Sequence, residues 1–210
     1  MRLVPIVEGH GEVAAIPVLL RRFQSESGTF GFQVARPIRR HRSDLVREAS
    51  LRQSVHLAML QQDCGAILIF LDSDDDCPKE LAPALERWAR EEAGNTPCAV
   101  VMAHREYEAW LLAAIESLRG HRGIQVDASA PPDAEAPRDA KGRLEDFMAG
   151  RSYWETTDQA ALTQQFDLAR AYAACRSFRH LAKAFGSLLS QAGIRLDQWP
   201  PVAWLSHPTP

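Results

Sequence analysis

Three short acidic clusters hold the residues whose types and spacing could do chemistry. The first is Glu8-Gly9-His10-Gly11-Glu12, the second Asp72-Ser73-Asp74-Asp75-Asp76, the third His104-Arg105-Glu106-Tyr107-Glu108. Side chains alternate along an extended segment, so Asp72 and Asp74 can point the same way, and Asp76 joins them only if the chain stays extended. Two carboxylates at 4 Å repel by about 1 kcal/mol in water and about 4 kcal/mol at an effective dielectric of 20. A hard divalent cation relieves this, and Mg²⁺ commonly takes one or two carboxylates plus waters. The plainer reading of the Asp cluster is a solvated acidic turn that stops a strand. Glu106 and Glu108 have a plain reading too, as acids complementing a helix dipole. Of the two, Glu108 flanks the following helix's apolar face more closely. His10 and His104 lie beside the acids and are candidate proton carriers or ligands.

Strands must position these clusters. Leu3 to Val7 is a short apolar run, and Ala66 to Leu71 a continuous one suited to burial on both faces. Gln33 to Ile38 and Pro97 to Ala103 read as two further strands. Gly9 and Gly11 permit a tight turn and close backbone approach. They match neither G-x-G-x-x-G nor a P-loop. Val13, Ile16, Leu19, Leu20 and Phe23 then recur at helical spacing, with Pro17 implying a start near Ala14 or a kink. The basic run Arg36-Pro-Ile-Arg-Arg-His-Arg42 is either a solvated loop or a phosphate contact through Arg39 and Arg40. Ser43 reads as the N-cap of a long helix to about Gln62, and Pro78 as the first turn of another ending near Gly94. Tyr107, Trp110, Leu111, Ala114, Ile115 and Leu118 form one side of an amphipathic helix, where the two aromatics could stack on bases but at this spacing with Leu111 read as core. Arg138 to Ala149 and Asp167 to Cys175 read as helices, with Ser177 capping a last one and an irregular tail after Trp199.

Alternating strands and helices predict an α/β fold: a mainly parallel four-stranded sheet flanked by helices, with a C-terminal helical extension. The expected division is 1–120 for the α/β part, a Gly- and Pro-rich loop over 121–137, and 138–210 for helices packed on the same core. The 210 residues are 46% apolar and 24% charged, ordinary for a globular protein. A net charge of −3 gives no global field for nucleic acid, although a local basic patch stays open. Four scattered cysteines (Cys64, Cys77, Cys98, Cys175) suggest neither a zinc ribbon nor a disulfide framework and suit a reducing cytoplasm. Neither a signal peptide nor a membrane span is expected.

In parallel sheets the site lies beyond the carboxyl ends of the strands. Three strands here end in acid, so five or more carboxylates converge if those ends are neighbours. The strings Val-Glu-Gly-x-Gly-Glu, Leu-Asp-x-Asp-x-Asp and Arg-Glu-Tyr-Glu-Ala-Trp resemble an uncharacterised bacterial Toprim-like family. The later Asp-Gln-x-x-Leu-x-x-x-Phe-Asp and Cys-x-Ser-Phe are similar to it as well. That family is related to nucleases of the overcoming-lysogenization-defect type and often neighbours ABC-type ATPases in phage-defence loci. The resemblance implies a Toprim-like fold, with Glu8 as metal ligand or general acid/base and Asp72 and Asp74 as ligands. It implies Glu12 and Glu108 as the extra acids of a second metal position, with Asp76 an additional candidate. One or two Mg²⁺ or Mn²⁺ ions would then act on a phosphodiester. Lys141 loosely matches the lysine such nucleases hold near the scissile phosphate; failing it, that charge falls to Arg105.

Three functions follow as expectations. The first is a metal-dependent endonuclease on DNA or RNA, working with an ABC-type ATPase. The second is a non-catalytic docking or regulatory subunit of such an ATPase complex, which the modest charge would suit. The third is a small phosphotransferase or phosphatase, which no nucleotide fingerprint favours. A homo-oligomer is compatible with each.

Overall fold

Strand β4, Cys64–Asp72, is central because it is apolar toward both faces. In the computed structural model, which describes residues 1–206, it lies between β1 (Arg2–Val7) and β5 (Cys98–Ala103), parallel to both. Ala66, Leu68 and Phe70 enter one core with Leu3, Val7, Val101 and Ala103. Ile67, Ile69 and Leu71 enter the other with Val4, Ile6, Val100 and Met102. Strict alternation of two buried sets is why the run reads as continuous in sequence.

The strand expected over Gln33 to Ile38 is two pieces, β2 (Gln33–Val34) and β3 (Ile38–Arg39). Both pair in parallel with the free side of β1, β2 beside Arg2 and Leu3, β3 beside Ile6 and Val7. Between them Pro37 has no N–H to give the ladder. The fold is thus α/β, with a parallel sheet in the order β2-β1-β4-β5 and β3 beside β1.

One face is covered by α1 (Glu12–Glu26), α5 (Glu108–Ala113) and the late helix α9 (Arg176–Gln191), the other by α3 (Glu48–Met59) and α4 (Pro78–Ala93). Helix α1 starts at Glu12 rather than near Ala14, and runs through Pro17. The helix expected from Ser43 to Gln62 is broken in two. A single turn, α2 (Arg42–Leu45), is followed by Val46 and by Arg47 in an extended conformation. Ser43 lies inside that turn and caps nothing. Pro78 opens α4 and Gly94, at φ 58°, closes it.

After a 3₁₀ turn at Ile115–Leu118 the chain makes a loop that is anchored rather than loose. Ile124, Ala128 and Ala134 are buried, and Ile124 bridges Met148. Then come α6 (Ala140–Asp146), a π-helical turn (Glu155–Gln159), α7 (Ala160–Thr163), α8 (Leu168–Ala174), α9 (Arg176–Gln191) and α10 (Val202–Leu205). Asp167 caps α8 through the amides of Ala169 and Arg170. Ser177 is not the cap of α9. The Glu135 carboxylate performs that role, accepting from the backbone N–H groups of Arg176 at 2.8 Å and Ser177 at 3.0 Å. Helix α10 replaces part of the expected irregular tail and buries Trp204; residues 207–210 lie outside the described residues. No helix among the described residues is long and apolar enough to cross a membrane.

The C-terminal helices share the core of the sheet. Phe23 of α1 packs on Phe178 (5.6 Å between ring centroids), Phe185 (5.3 Å), Trp199 (5.1 Å) and Trp204 (5.6 Å). Phe178 also meets Trp110 at 5.2 Å. Truncating a buried aromatic removes transfer energy and leaves a cavity. Phe178→Ala should lower stability by about 3–5 kcal/mol in urea titration. Near-ultraviolet and far-ultraviolet signals should still change in one transition, because Phe23 stays packed on Phe185, Trp199 and Trp204 and keeps both halves joined.

Candidate functional site

The carboxyl ends of β1 and β4 are side by side, so Glu8 and Asp72 leave the sheet together. Asp72 follows Phe70 by two residues and shares its face, the one beneath α1 and α5. Those helices bring Glu12 and Glu108 in their first turns. Both glutamates are buried, at 6% and 3% exposure. Asp72 lies within electrostatic reach of Glu12, Glu108, Glu8 and Asp74.

The glycines of the first turn serve this approach. A Cβ on Gly9 would collide with the Glu12 carboxylate, and one on Gly11 with the side-chain amide of Gln159. The turn is shaped for a carboxylate and an amide, not for a phosphate.

Neutral donors hold the inner acids. Glu108 Oε1 accepts from the Tyr153 hydroxyl at 2.7 Å and from Gln159 Nε2 at 3.1 Å. The same Gln159 amide reaches Glu12 Oε1 at 3.4 Å. Glu12 Oε2 and Asp72 Oδ1 are buried without a partner. Burial, reinforced by the neighbouring acids, pushes Asp72 well above the usual carboxylate range. Burial raises Glu12 and Glu8 too, and takes Glu108 from 4.5 up to about 7.

Gln159 ends the π-helical turn, a feature frequent at functional sites. Its neighbour Asp158 anchors that turn. The fully enclosed Asp158 carboxylate binds Arg122 at 2.7 Å, Arg151 at 2.8 Å and the backbone N–H of Trp154 at 2.9 Å. Burial opposes its charge, but these donors prevail and hold its pKa below the usual value.

The outer acids have a cation. After Asp72 the chain turns, with Asp74 at φ 47° and the Asp76 N–H bonded to the Ser73 carbonyl at 2.8 Å. Asp76 therefore does not extend the row of Asp72 and Asp74. It is exposed and pairs with Arg42 at 2.6 Å. Arg42 also reaches Asp74 at 3.4 Å and Glu8 at 3.5 Å. It donates to the carbonyls of Asp72 and, at 3.2 Å, Ser73.

Arg105, at φ 64°, holds a left-handed backbone uncommon for such a residue, through its N–H bond to Ser73 Oγ at 2.8 Å. Strain of this kind gathers at functional sites. Its guanidinium pairs with Asp75 at 2.9 Å. Lys141 feels Glu108 and Glu106 but bonds directly to Glu155 at 2.5 Å. Glu106 accepts from the Lys141 backbone N–H at 2.7 Å and so supports α6 instead of lining the site. Arg40 donates to Ser54 Oγ at 3.2 Å. The Arg39 side chain has no hydrogen-bond or ion-pair partner among the described residues, and His10 is exposed.

The donor set is all oxygen, the chemistry of a hard cation. The orphaned carboxylate oxygens of Glu12 and Asp72 fit one as well. No group of three or more His, Cys, Asp or Glu side chains among the described residues is set to hold an ion as it stands. Gln159 and Arg42 tie most of the carboxylates elsewhere, so ligation requires them to re-aim.

A sequence comparison covers this whole arrangement: residues 7–185 match a family described as a domain of unknown function (DUF4276). The chain belongs to that family. The DUF4276 span includes every acid of the site together with Arg42, Tyr153 and Gln159. No curated protein and no solved structure matches the chain. Sequence reasoning did not pick out these last three residues as parts of the site. Gln159 sat in the quoted Asp-Gln pattern, and Arg42 ended the basic run, but their partners are 147 and 34 residues away along the chain.

A carboxylate whose folded pKa is raised favours the protonated fold, so its stabilising effect is complete below the unfolded value and is lost as pH rises. Without metal, stability should therefore fall between pH 4.5 and about 7 through Glu108, by roughly 3 kcal/mol for that group. Glu108→Gln should flatten the melting-temperature profile across that window; an unchanged slope would remove Glu108 as its source.

Proposed function

We propose that the chain is a Toprim-like, metal-dependent nuclease-type protein that cleaves nucleic-acid phosphodiesters using Mg²⁺ or Mn²⁺. The observation that carries this reading is the meeting of Glu8, Glu12, Asp72, Asp74 and Glu108 from two strand ends and two helix starts, with two buried carboxylate oxygens unpartnered. Buried like charges of this density are costly unless protonated or neutralised by a cation. Glu12, Asp72 and Glu108 would hold the ion, with Glu8 and Asp74 at the rim beside Arg42. A bound ion would supply Lewis-acid polarisation of a phosphoryl oxygen.

The chain's own groups supply the rest. Glu8 is partly exposed at the strand end, and burial raises its pKa, so we assign it as the proton carrier. Tyr153 and Gln159 fix the Glu108 carboxylate. Arg105, paired with Asp75, and Arg39, in register with Val7 at the end of β1, would serve as phosphate contacts, and Lys141 would reach a phosphate only by leaving Glu155. Trp154, 63% exposed beside Tyr153, offers a ring on which a base can stack. The resemblance adds an ABC-type ATPase as partner in a phage-defence setting.

A second reading, the docking or regulatory subunit of an ATPase complex, is favoured by one observation: Arg42 and Gln159 already satisfy most of the acids.

Glu8→Ala and Asp72→Ala should each reduce Mn²⁺-dependent cleavage of single- and double-stranded nucleic acid at least about a hundredfold. Melting temperatures should be retained or, for Asp72→Ala, raised in chelator. Mn²⁺ binding that persists with no cleavage, alone or with the ATPase, would favour the docking reading.

A further inference from the structure

The site has two compartments with different charge balance. The inner one contains Glu12, Asp72 and Glu108, and the donors facing them are neutral: the Gln159 amide and the Tyr153 hydroxyl. Its orphaned oxygens are Glu12 Oε2, Asp72 Oδ1 and Gln159 Oε1. The outer one contains Glu8, Asp74 and Asp76, and the Arg42 guanidinium sits among all three. Arg42 also takes the carbonyls of Asp72 and Ser73, oxygens at the strand end of the kind a hard cation uses.

A guanidinium stays charged at any working pH, and its planar fork serves several acceptors at once. Holding it there takes a dedicated piece of backbone. The break at Val46 and Arg47 isolates the single turn of α2 and sets Arg42 over the ends of β1 and β4. A continuous helix from Ser43 would not have needed that break.

We propose that the centre takes one divalent ion, in the inner compartment, and that Arg42 is its resident second cation. This rests on the metal-binding reading above and makes it specific. A second ion would have to displace Arg42 from three carboxylates and two carbonyls. With Arg42 in place, the charge a second ion would bring to a bound phosphate is supplied by the chain itself.

The test is Mn²⁺ titration calorimetry on the full chain, together with melting temperature with and without Mn²⁺, for wild type, Arg42→Met and Arg42→Lys. Wild type should bind one Mn²⁺. Arg42→Met should bind two, and Mn²⁺ should raise its melting temperature more than it raises that of wild type. Arg42→Lys should stay at one. Two ions in wild type would overturn the proposal while leaving the metal-binding reading intact, and this arm needs no variant to fold. Equal stoichiometry and affinity in wild type and a folded Arg42→Met would overturn it as well. No Mn²⁺ binding by folded wild type would overturn the metal-binding reading, and the proposal with it.

Discussion

Three carboxylates enclosed together without a cation from the chain are the constraint on which the rest of the molecule turns. Glu12, Asp72 and Glu108 come from α1, β4 and α5, and each is held where burial disfavours its charge. Such an arrangement persists only if the surroundings are rigid enough to prevent the acids from separating. That rigidity comes from a sheet buried on both faces and from glycines at positions 9 and 11 that let Glu12 and Gln159 close in. The stability spent on the acids is recovered in the aromatic core beneath them.

The C-terminal helices form the wall of the site. Helix α9 packs directly on β5 and β4, α7 lies against α1 and α8 against α5, and the Asp158 clamp holds a π-helical turn that presents Gln159 to two acids at once. Tyr107, next to Glu108, hydrogen-bonds Thr163 at 2.8 Å, which ties α7 to the same region. Trp110 donates to Ser177 at 2.8 Å, and Ser177 donates to Glu135, joining α5 to the start of α9. These polar links are buried and specific, so they fix which packing the apolar surfaces adopt.

Local pattern revealed what local physics decides. The run Ala66 to Leu71 signalled a strand covered on both faces, Pro78 and Gly94 marked the bounds of α4, and the spacing from Phe178 to Leu189 marked the buried side of α9. The three acidic clusters were legible because each follows an apolar run directly. What failed to show depends on distant partners. Ser43 and Ser177 carried cap chemistry, yet the first is overridden by the position Arg42 takes and the second by Glu135. Pro37 split a strand whose apolar pattern looked whole. The π-helical turn has no periodicity of its own; it exists because Arg122, Arg151 and the Trp154 amide converge on Asp158. Arg42 looked like one more member of a basic loop, since nothing in a run of arginines says which one will turn inward.

The packing of Phe23 against Trp199 and Trp204 has a consequence for synthesis. Helix α1 is made early, but its apolar face is completed by rings that leave the ribosome more than a hundred and seventy residues later. Contacts so far apart in sequence close slowly and late. Until then the growing chain carries an uncovered sheet face, a species prone to aggregation and a natural client for chaperones. The acids would gather only as that face closes, so a nascent fragment would carry the charges of the centre without the centre itself.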